Sequence, residues 1–421
     1  MEKVITVIDI GTTKFLGLVA VVEGDYIEVK SVDVKQTEEG WVKGGRIVDI
    51  EGATTGLIDL VESLKKQSKE KIEWIIVGVG GGHIKGTIYS KTIEIVPKGR
   101  EINKTDIQII EREIKNAVIP TLENNKDIIF IIPQEYIIDN TPIPIEKSPI
   151  GMHGNLLEMK AHVVSGETNP IKDIHKCANM AGLKVEPHLF PYSWAVSEAV
   201  INEEEKKLGC LVIDFGKDTI DFVCYIDGKI ILTESLRLGS SLIDSDISRV
   251  FHTPLDFAEE LKKKYANCYY KKLIEENPEA VKTKKIEIYD PSGKFSKKVS
   301  IEEISDVVYF RLKEILEYIW KKIQKNLMEL GINPFIKISE VVLSGGGSKL
   351  EGIEFVAESI FQIPVRIGLP QKIFNLDRNY QTPEFAAALG LLLLGSKIVK
   401  REDKNFIRKF KKWVIDLFFP S

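Results

Sequence analysis

One short pattern occurs twice in this chain, roughly half a chain length apart, and it restricts the possible folds more than any other feature. Each copy is an apolar strand-like run that ends in an acidic residue and a glycine turn. The copies are Val7-Ile8-Asp9-Ile10-Gly11-Thr12-Thr13-Lys14 and Val212-Ile213-Asp214-Phe215-Gly216-Lys217-Asp218-Thr219-Ile220-Asp221, and a third glycine turn is Leu343-Ser344-Gly345-Gly346-Gly347-Ser348. A single turn of this kind usually only reverses the chain. Three in this order predict two related halves that close on one phosphorylated ligand.

The residue types in these turns suit a phosphate. Glycine lets backbone N–H groups approach an anion, and Thr12 and Thr13 add hydroxyl donors. Lys14 can place a positive charge on phosphate oxygens. Asp9 and Asp214 would repel phosphate in direct contact, so we predict that they hold Mg²⁺ through its water molecules. The alternative is that both aspartates only cap their turns.

The composition is that of a folded protein with several domains. A chain of 421 residues is long enough for about two to four domains. With 43% hydrophobic and 29% charged residues, it can build a sizeable core. The net charge of −4 argues against bulk affinity for nucleic acid, so we expect no nucleic-acid partner.

The cysteines and histidines have no metal-ligand spacing, so we predict no zinc site. The cysteines are expected to be reduced: Cys177, Cys210, Cys224 and Cys268. Met1-Glu2-Lys3 leads directly into an apolar strand without a signal-peptide pattern, and no apolar stretch reaches the length of about 18 residues that spans a bilayer. These features predict a protein that is made and stays in the cytosol.

Apolar periodicity and turn signals divide the chain into segments. We expect a first-half core at 1–79, an inserted interaction subdomain at 80–165, a return to the first half at 166–205, a second-half core at 206–240, its outer subdomain at 241–335, the second-half core with the third turn at 336–370, a closing segment at 371–396, and a linker with a terminal helix at 397–421. Predicted strands include Val4–Ile8, Leu16–Val22, Ile27–Val34, Trp74–Val79, Ile128–Ile132 and Tyr136–Ile138. Predicted helices include Ala53–Lys66, Asp106–Ala117, Asp244–Tyr270, Ile301–Leu330 and Ala386–Leu394, and Glu275–Lys298 is predicted to be a polar loop.

The last residues of the chain have the pattern of a basic amphipathic helix. Apolar residues recur at helical spacing: Phe406, Ile407, Phe410, Trp413, Val414, Leu417 and Phe418. Basic residues flank them: Arg408, Lys409, Lys411 and Lys412. Aromatic and basic residues in this arrangement favour a helix that lies in a membrane interface and binds anionic lipid. The alternative is a C-terminal helix that packs on the body of the protein itself.

The order of the three turns resembles the actin-like ATPase superfamily, and further strings are similar to the FtsA family of bacterial cell-division proteins. These strings are Lys43-Gly44-Gly45-Arg46-Ile47, Ile132-Pro133-Gln134-Glu135-Tyr136-Ile137-Ile138-Asp139, Pro149-Ile150-Gly151-Met152 and Gly182-Leu183-Lys184-Val185. The resemblance runs from Val4 to the C-terminus. It implies an α/β, actin-like ATPase fold: two related ribonuclease-H-like halves around a nucleotide cleft, an inserted α/β subdomain and a C-terminal amphipathic helix.

The resemblance also implies ATP and Mg²⁺ as cofactors and assigns residues to them. The phosphate and magnesium residues would be Asp9, Gly11, Thr12, Thr13, Lys14, Asp214, Gly216 and Thr219, with Lys217 assisting a phosphate. Glu259 and Lys262 match a helical Ala-Glu-x-x-Lys pattern that would contact ribose and adenine, although without the resemblance this pair is an ordinary surface salt bridge. The adenosine would lie against Gly345, Gly346, Gly347 and Ser348.

The second turn departs from the family pattern. The family usually has Asp-x-Gly-Gly-Gly-Thr-x-Asp, whereas Lys217 and Asp218 here replace two glycines. Asp218 places a negative charge where bare backbone is expected, and repulsion is poorly screened in a partly closed cleft. We therefore expect nucleotide binding with at most weak ATPase activity, and whether the protein is an enzyme stays open.

The function implied by the resemblance is that of a polymerising membrane adaptor. It would form filaments with itself at the inner face of the cell membrane, peripherally and at the division septum. It would tether FtsZ, the tubulin-like division protein, to anionic lipid and recruit later cell-division proteins. The alternatives are an actin-like pilus-assembly protein of the PilM type and an ATPase of the chaperone or sugar-kinase class.

Overall fold

The structure is a computed structural model and describes residues 3–24, 26–143, 147–186, 189–270, 275, 285–294, 296–371, 373 and 376–402, without the side chains of 399–402. The predicted membrane helix at 406–418 therefore lies outside the described residues. Of the helices in the described part, none is both long and apolar enough to cross a bilayer.

The secondary structure alternates strands and helices along the chain. The strands are β1 (Lys3–Ile10), β2 (Lys14–Glu23), β3 (Tyr26–Gln36), β4 (Val42–Lys43), β5 (Arg46–Ile47), β6 (Trp74–Val79), β7 (Lys85–Glu94), β8 (Lys126–Ile138), β9 (Thr141–Ile143), β10 (Leu156–Glu167), β11 (Lys184–Val185), β12 (Phe190–Pro191), β13 (Cys210–Phe215), β14 (Ile220–Ile226), β15 (Lys229–Leu236), β16 (Lys285–Tyr289), β17 (Ser296–Ser300), β18 (Glu340–Ser344) and β19 (Val365–Ile367). The helices are α1 (Ile50–Ser68), α2 (Lys104–Val118), α3 (Thr168–Met180), α4 (Tyr192–Val200), α5 (Glu203–Leu208), α6 (Ser241–Phe251), α7 (Leu255–Tyr265), α8 (Ile301–Glu329), α9 (Pro334–Lys337), α10 (Ile353–Phe361) and α11 (Ala386–Glu402).

Two sheets repeat one arrangement, which confirms the predicted relation between the halves. The first has the order β11-β6-β1-β2-β3, with β1 antiparallel to β2 and parallel to β6. The second contains the order β19-β18-β13-β14-β15, with β13 antiparallel to β14 and parallel to β18. Central strands such as β2 and β14 are buried along almost their whole length, as expected for strands covered on both faces. The hairpin of β1 and β2 in the first sheet therefore corresponds to the hairpin of β13 and β14 in the second.

The segment after β6 adds strands to the second sheet. Strand β7 pairs with β15 at Gly86 and Lys85, and the sheet continues through β10, β8 and β9. The predicted strands Ile128–Ile132 and Tyr136–Ile138 are wrong in one respect, because they form the single strand β8. A register shift opposite Lys160 and Ala161 leaves Gln134, next to Pro133, without a register partner, and such a bulge lets a strand accommodate a proline.

The outer subdomain corrects two further predictions. The helix predicted at Asp244–Tyr270 is two helices, α6 and α7, because His252 has a left-handed φ of 53° and Pro254 precedes the second helix. A proline cannot continue a helix and disfavours the helical conformation in the residue before it. The predicted loop Glu275–Lys298 contains, among its described residues, the antiparallel hairpin of β16 and β17.

The closing helix α11 connects the cleft to the far end of the first sheet. It is longer than the predicted Ala386–Leu394 and packs on α4, β1 and β6. A Cβ on Gly390 would lie 1.6 Å from the Ala195 backbone oxygen, so only glycine lets the two helices approach this closely. Further along α11, the Lys397 ammonium pairs with the buried Glu198 carboxylate of α4. Packing and charge together fix α11 on the body.

We expect Gly390→Ala to destabilise the protein, because α11 must move away from the backbone of α4. Overpacking of this kind costs about 1–3 kcal/mol. Gly395→Ala on the same helix is the matched control, since its Cβ would meet side chains and no backbone: the end of Ile76 at 2.4 Å and a methyl group of Ile5 at 3.4 Å. Urea unfolding should show a larger loss for Gly390→Ala than for Gly395→Ala. Equal losses would contradict the role assigned to the Gly390 contact.

Candidate functional site

The two aspartate-glycine turns close in the same way. The Gly11 N–H donates to the Lys14 carbonyl oxygen at 3.0 Å, and the Gly216 N–H donates to the Thr219 carbonyl oxygen at 2.9 Å. Each turn joins two antiparallel strands at the edge where the halves face each other. Lys14 and Thr219 therefore occupy equivalent positions, one in each half.

A cleft of about 670 Å³ lies between the turns, a size typical of small-molecule sites. The predicted site residues that line it are Asp9, Gly11, Thr12, Thr13, Lys14, Asp214, Gly216, Lys217, Thr219, Glu259, Lys262, Gly345, Gly346 and Gly347. Ser348 is the exception: it is buried, and its Oγ donates to the Gly345 carbonyl oxygen at 2.7 Å. The structure thus brings residues from distant parts of the sequence to one place, while their roles toward a ligand stay predictions.

Asp9, Asp214 and Asp221 are three of the carboxylates that line this cleft. Burial raises the pKa of Asp214 well above its usual value, and the charges of Asp221 and Asp9 raise it further. Burial likewise raises the pKa of Asp221 to about 6, against hydrogen bonds from Ser235 and Thr219. A divalent cation fits such a set, because it stabilises the charged forms. Within the described ranges, no three or more His, Cys, Asp or Glu side chains form a direct metal-ligand cluster, so magnesium held through water stays a prediction.

The third turn uses its glycines in different ways. Gly345 has a φ of 80°, and a Cβ there would lie 2.2 Å from the Asp214 Oδ1. A Cβ on Gly347 would lie 2.8 Å from the Phe215 carbonyl oxygen. Both glycines are therefore needed for packing between β18 and β13. Gly346, in contrast, has open space around it, which leaves its backbone accessible to a ligand.

Lys14 lies between the first turn and the start of α11. Its ammonium is 3.9 Å from the Glu384 carboxylate and 4.2 Å from the centre of the Phe385 ring. Glu384 also pairs with Lys349, next to the third turn, at 2.9 Å. Burial lowers the pKa of Lys14, while the charges of Glu384 and Asp9 oppose this effect. The Glu384 carboxylate thus links Lys14 of the first half to Lys349 of the second half at the cleft.

The pair predicted to contact ribose and adenine lies on α7. Glu259 does not pair with Lys262, as the salt-bridge alternative required; it contacts Lys217 at 2.8 Å and Lys263 at 2.6 Å. Although burial opposes it, these two lysines lower the pKa of Glu259 to about 2. Lys262 pairs with Asp244 at 2.7 Å, and burial lowers its pKa against that pairing. Lys217, expected beside a phosphate, is therefore held by α7, and its role toward phosphate stays a prediction.

Sequence reasoning missed Tyr192, which lines the cleft beneath the first turn. Its hydroxyl oxygen accepts the Ile10 N–H at 3.0 Å. Its ring packs on two glycines, since a Cβ on Gly78 or Gly80 would lie 2.2 or 2.8 Å from ring atoms. Gly80 follows β6 as Gly345 follows β18, and the symmetry of the halves could have identified this glycine run as part of the site. Tyr192 itself gave no local signal.

Two family models match the chain. The model described as cell division protein FtsA matches residues 211–390, and the model described as an SHS2 domain inserted in FtsA matches residues 81–165. The cell division protein FtsA of Borreliella burgdorferi is 32% identical over 98% of this chain and 94% of its own length. The FtsA of Neisseria meningitidis serogroup B is 31% identical over 94% of this chain and 91% of its own length.

Solved structures share the architecture at much lower identity. The PilM-PilN type IV pilus biogenesis complex has a TM-score of 0.66 and 16% identity, and the match covers 93% of this chain and 98% of the other. MreB5 of Spiroplasma citri bound to ADP has a TM-score of 0.52 and 15% identity, with 96% and 99% covered. At these identities the likeness shows the fold alone.

Proposed function

Because the chain belongs to the FtsA family of cell-division proteins and has the actin-like ATPase fold, we propose that it binds ATP with magnesium in the cleft and acts as a membrane adaptor of the division ring. In this function it polymerises at the inner face of the membrane, attaches FtsZ there through its C-terminal amphipathic helix and recruits later division proteins.

One observation carries the nucleotide part of the proposal. The three turns and the α7 pair, which are separated by up to about 340 residues in the sequence, line one cleft of about 670 Å³. Structural neighbours with the same fold were solved with ADP and with AMPPNP, which supports an adenine nucleotide as the ligand.

The geometry suggests how the cleft residues act. The turn N–H groups that are not used in the hairpins, and the hydroxyls of Thr12 and Thr13, can donate to phosphates. Asp9 and Asp214 would orient the hydrated magnesium ion, whose charge would offset that of the phosphates. Gly346 leaves room for the adenosine beside its backbone. The proposal assigns the nucleotide a switching or structural role with at most weak hydrolysis.

The membrane part of the proposal is supported by the terminal sequence and by α11. Residues 406–418 carry the aromatic and basic pattern of an interfacial helix. The preceding helix α11 is fixed to the body by the Gly390 and Lys397 contacts, so it would deliver the tail from a rigid base. A single tail binds lipid reversibly, and many tails on one filament bind firmly through effective concentration.

The relatives favour this function over the pilus alternative. The similarity to PilM is a similarity of fold, with only 16% sequence identity. The cell-division relatives are about 30% identical and match almost the whole chain. No observation of the described residues favours a sugar kinase or a chaperone.

Isothermal titration calorimetry with ATP and ADP tests the proposal. We expect binding in the presence of Mg²⁺ that weakens when the ion is removed with EDTA. In Asp214→Asn the magnesium-dependent affinity should fall at least about tenfold, about 1.4 kcal/mol. The variant should still fold, because burial already raises the pKa of Asp214 and disfavours its charge. If wild-type protein shows no heat of binding for ATP or for ADP in the presence of Mg²⁺, the proposal is wrong.

A further inference from the structure

Lys217 and Asp218, which replace glycines in the second turn, extend their side chains to different walls of the cleft. The Asp218 Oδ2 accepts the N–H of Gly44 at 3.2 Å, across 174 positions of sequence. Gly44 lies in the turn between β4 and β5, in the first half. The side chain of Asp218 therefore bonds across the cleft between the halves.

Lys217 reaches in another direction. Its ammonium contacts the Glu259 carboxylate of α7 at 2.8 Å. Burial disfavours the charge on Lys217, yet the hydrogen bond and the charge of Glu259 raise its pKa overall. The ion pair therefore persists at neutral pH and joins the second turn to the outer subdomain.

Both ends of the Asp218 contact are held by close backbone packing. A Cβ on Gly239 would lie 2.1 Å from the Lys217 carbonyl oxygen, and the Ser241 N–H donates to that oxygen at 2.9 Å. On the other side, a Cβ on Gly45 would lie 2.6 Å from the Gly81 Cα. Neither turn can shift much by itself, so separation of the halves must break the bond between Asp218 and Gly44.

We propose that Lys217 and Asp218 form a clasp that joins the three walls of the cleft and slows the release of bound nucleotide. The inference rests on the proposed function, since it takes an adenine nucleotide as the ligand. A ligand held between the two turns leaves when the halves separate, and the clasp opposes that motion. Lys217 and Asp218 thus hold the walls of the cleft in position relative to one another.

The clasp and simple repulsion predict opposite effects of removing the carboxylate. If Asp218 mainly repelled phosphate, its loss would tighten binding and slow release. If it mainly holds Gly44, its loss speeds release. Asp218→Asn separates the two, because an amide oxygen still accepts an N–H but carries no charge.

Stopped-flow release of a fluorescent ADP, with excess unlabelled ADP and Mg²⁺, measures the effect in full-length protein. We expect release from Asp218→Ala to be about tenfold faster than from wild type, which corresponds to about 1.4 kcal/mol. Asp218→Asn should stay within about twofold, or about 0.4 kcal/mol. Lys217→Met, which keeps the apolar stem and loses the ion pair, should also release faster.

Asp227→Ala is the matched control, because it removes one carboxylate whose side chain is 69% exposed and 3.5 Å from the Lys337 ammonium. Its release rate should equal that of wild type. The clasp would be overturned if Asp218→Ala released ADP at the wild-type rate or more slowly. Equal release rates for Asp218→Ala and Asp218→Asn would also overturn it. Wild-type protein that binds no fluorescent ADP would instead overturn the proposed function.

Discussion

Deletion of residues 403–421 is expected to abolish co-sedimentation with vesicles that contain anionic lipid, while the body stays folded. The tail supplies four basic residues between 408 and 412, and each contributes about 1 kcal/mol near an anionic leaflet. Its large apolar side chains contribute up to about 1.5–3 kcal/mol each when fully buried, less the cost of ordering the tail.

The cut leaves the body intact because it follows the last described residue of α11. That helix is held by its packing on Ala195 of α4 and by the pair of Lys397 with Glu198. Thermal unfolding of the truncated protein should therefore match that of the full chain.

Two tail variants serve as controls for this deletion. Lys409→Gln with Lys412→Gln keeps the apolar stripe and should lose the preference for anionic over neutral vesicles. Trp413→Ser with Phe410→Ser keeps the charges and should bind weakly, with strong salt dependence. Unchanged lipid binding after the deletion would favour a terminal helix packed on the protein itself, and would remove the support for membrane attachment.

Substitution of two neighbouring glycines in the third turn should have opposite consequences. Gly345→Ala is expected to destabilise the fold, because its φ of 80° strains an alanine and the Cβ would meet the Asp214 carboxylate at 2.2 Å. Strain at such a position costs about 1–3 kcal/mol, to which the steric clash adds. Chemical denaturation should show this loss directly.

Gly346→Ala is the matched partner of that substitution. Its Cβ would enter open space, so the free energy of unfolding should change little. The methyl group would nevertheless stand where adenosine is proposed to approach, and calorimetry should show weaker nucleotide binding in a stable protein. Unchanged affinity in Gly346→Ala would place the adenosine elsewhere in the cleft.

The local elements could be predicted because their signals lie within short stretches of sequence. Strand β6 begins and ends at the predicted residues Trp74 and Val79, and the hairpins around Asp9 and Asp214 follow their apolar runs and glycines. Prediction was wrong where a weak local feature dominated a longer pattern. Pro254 divided a helical periodicity, and a bulge at Gln134, next to Pro133, let one strand continue where two were predicted.

The sequence predicted which residues would line the cleft but not which contacts they would make. Three glycine turns in order indicated one ligand, and all three line one cleft. The partners of their charged side chains came from elsewhere: Glu384 for Lys14, Glu259 for Lys217 and a backbone N–H for Asp218. A charge in sequence shows what a side chain can bind but not which neighbour folding will supply.

The sequence by itself determined the two-fold repetition, the turns that face the cleft and the amphipathic character of the tail, because each follows from residue type and spacing over a few positions. Only the tertiary structure decided that Tyr192 lies beneath the first turn, that the inserted strands join the second sheet, and that Asp218 bonds to Gly44. These contacts join residues distant along the chain. They depend on how the sheets, once formed, pack to exclude water, and no local pattern encodes that packing.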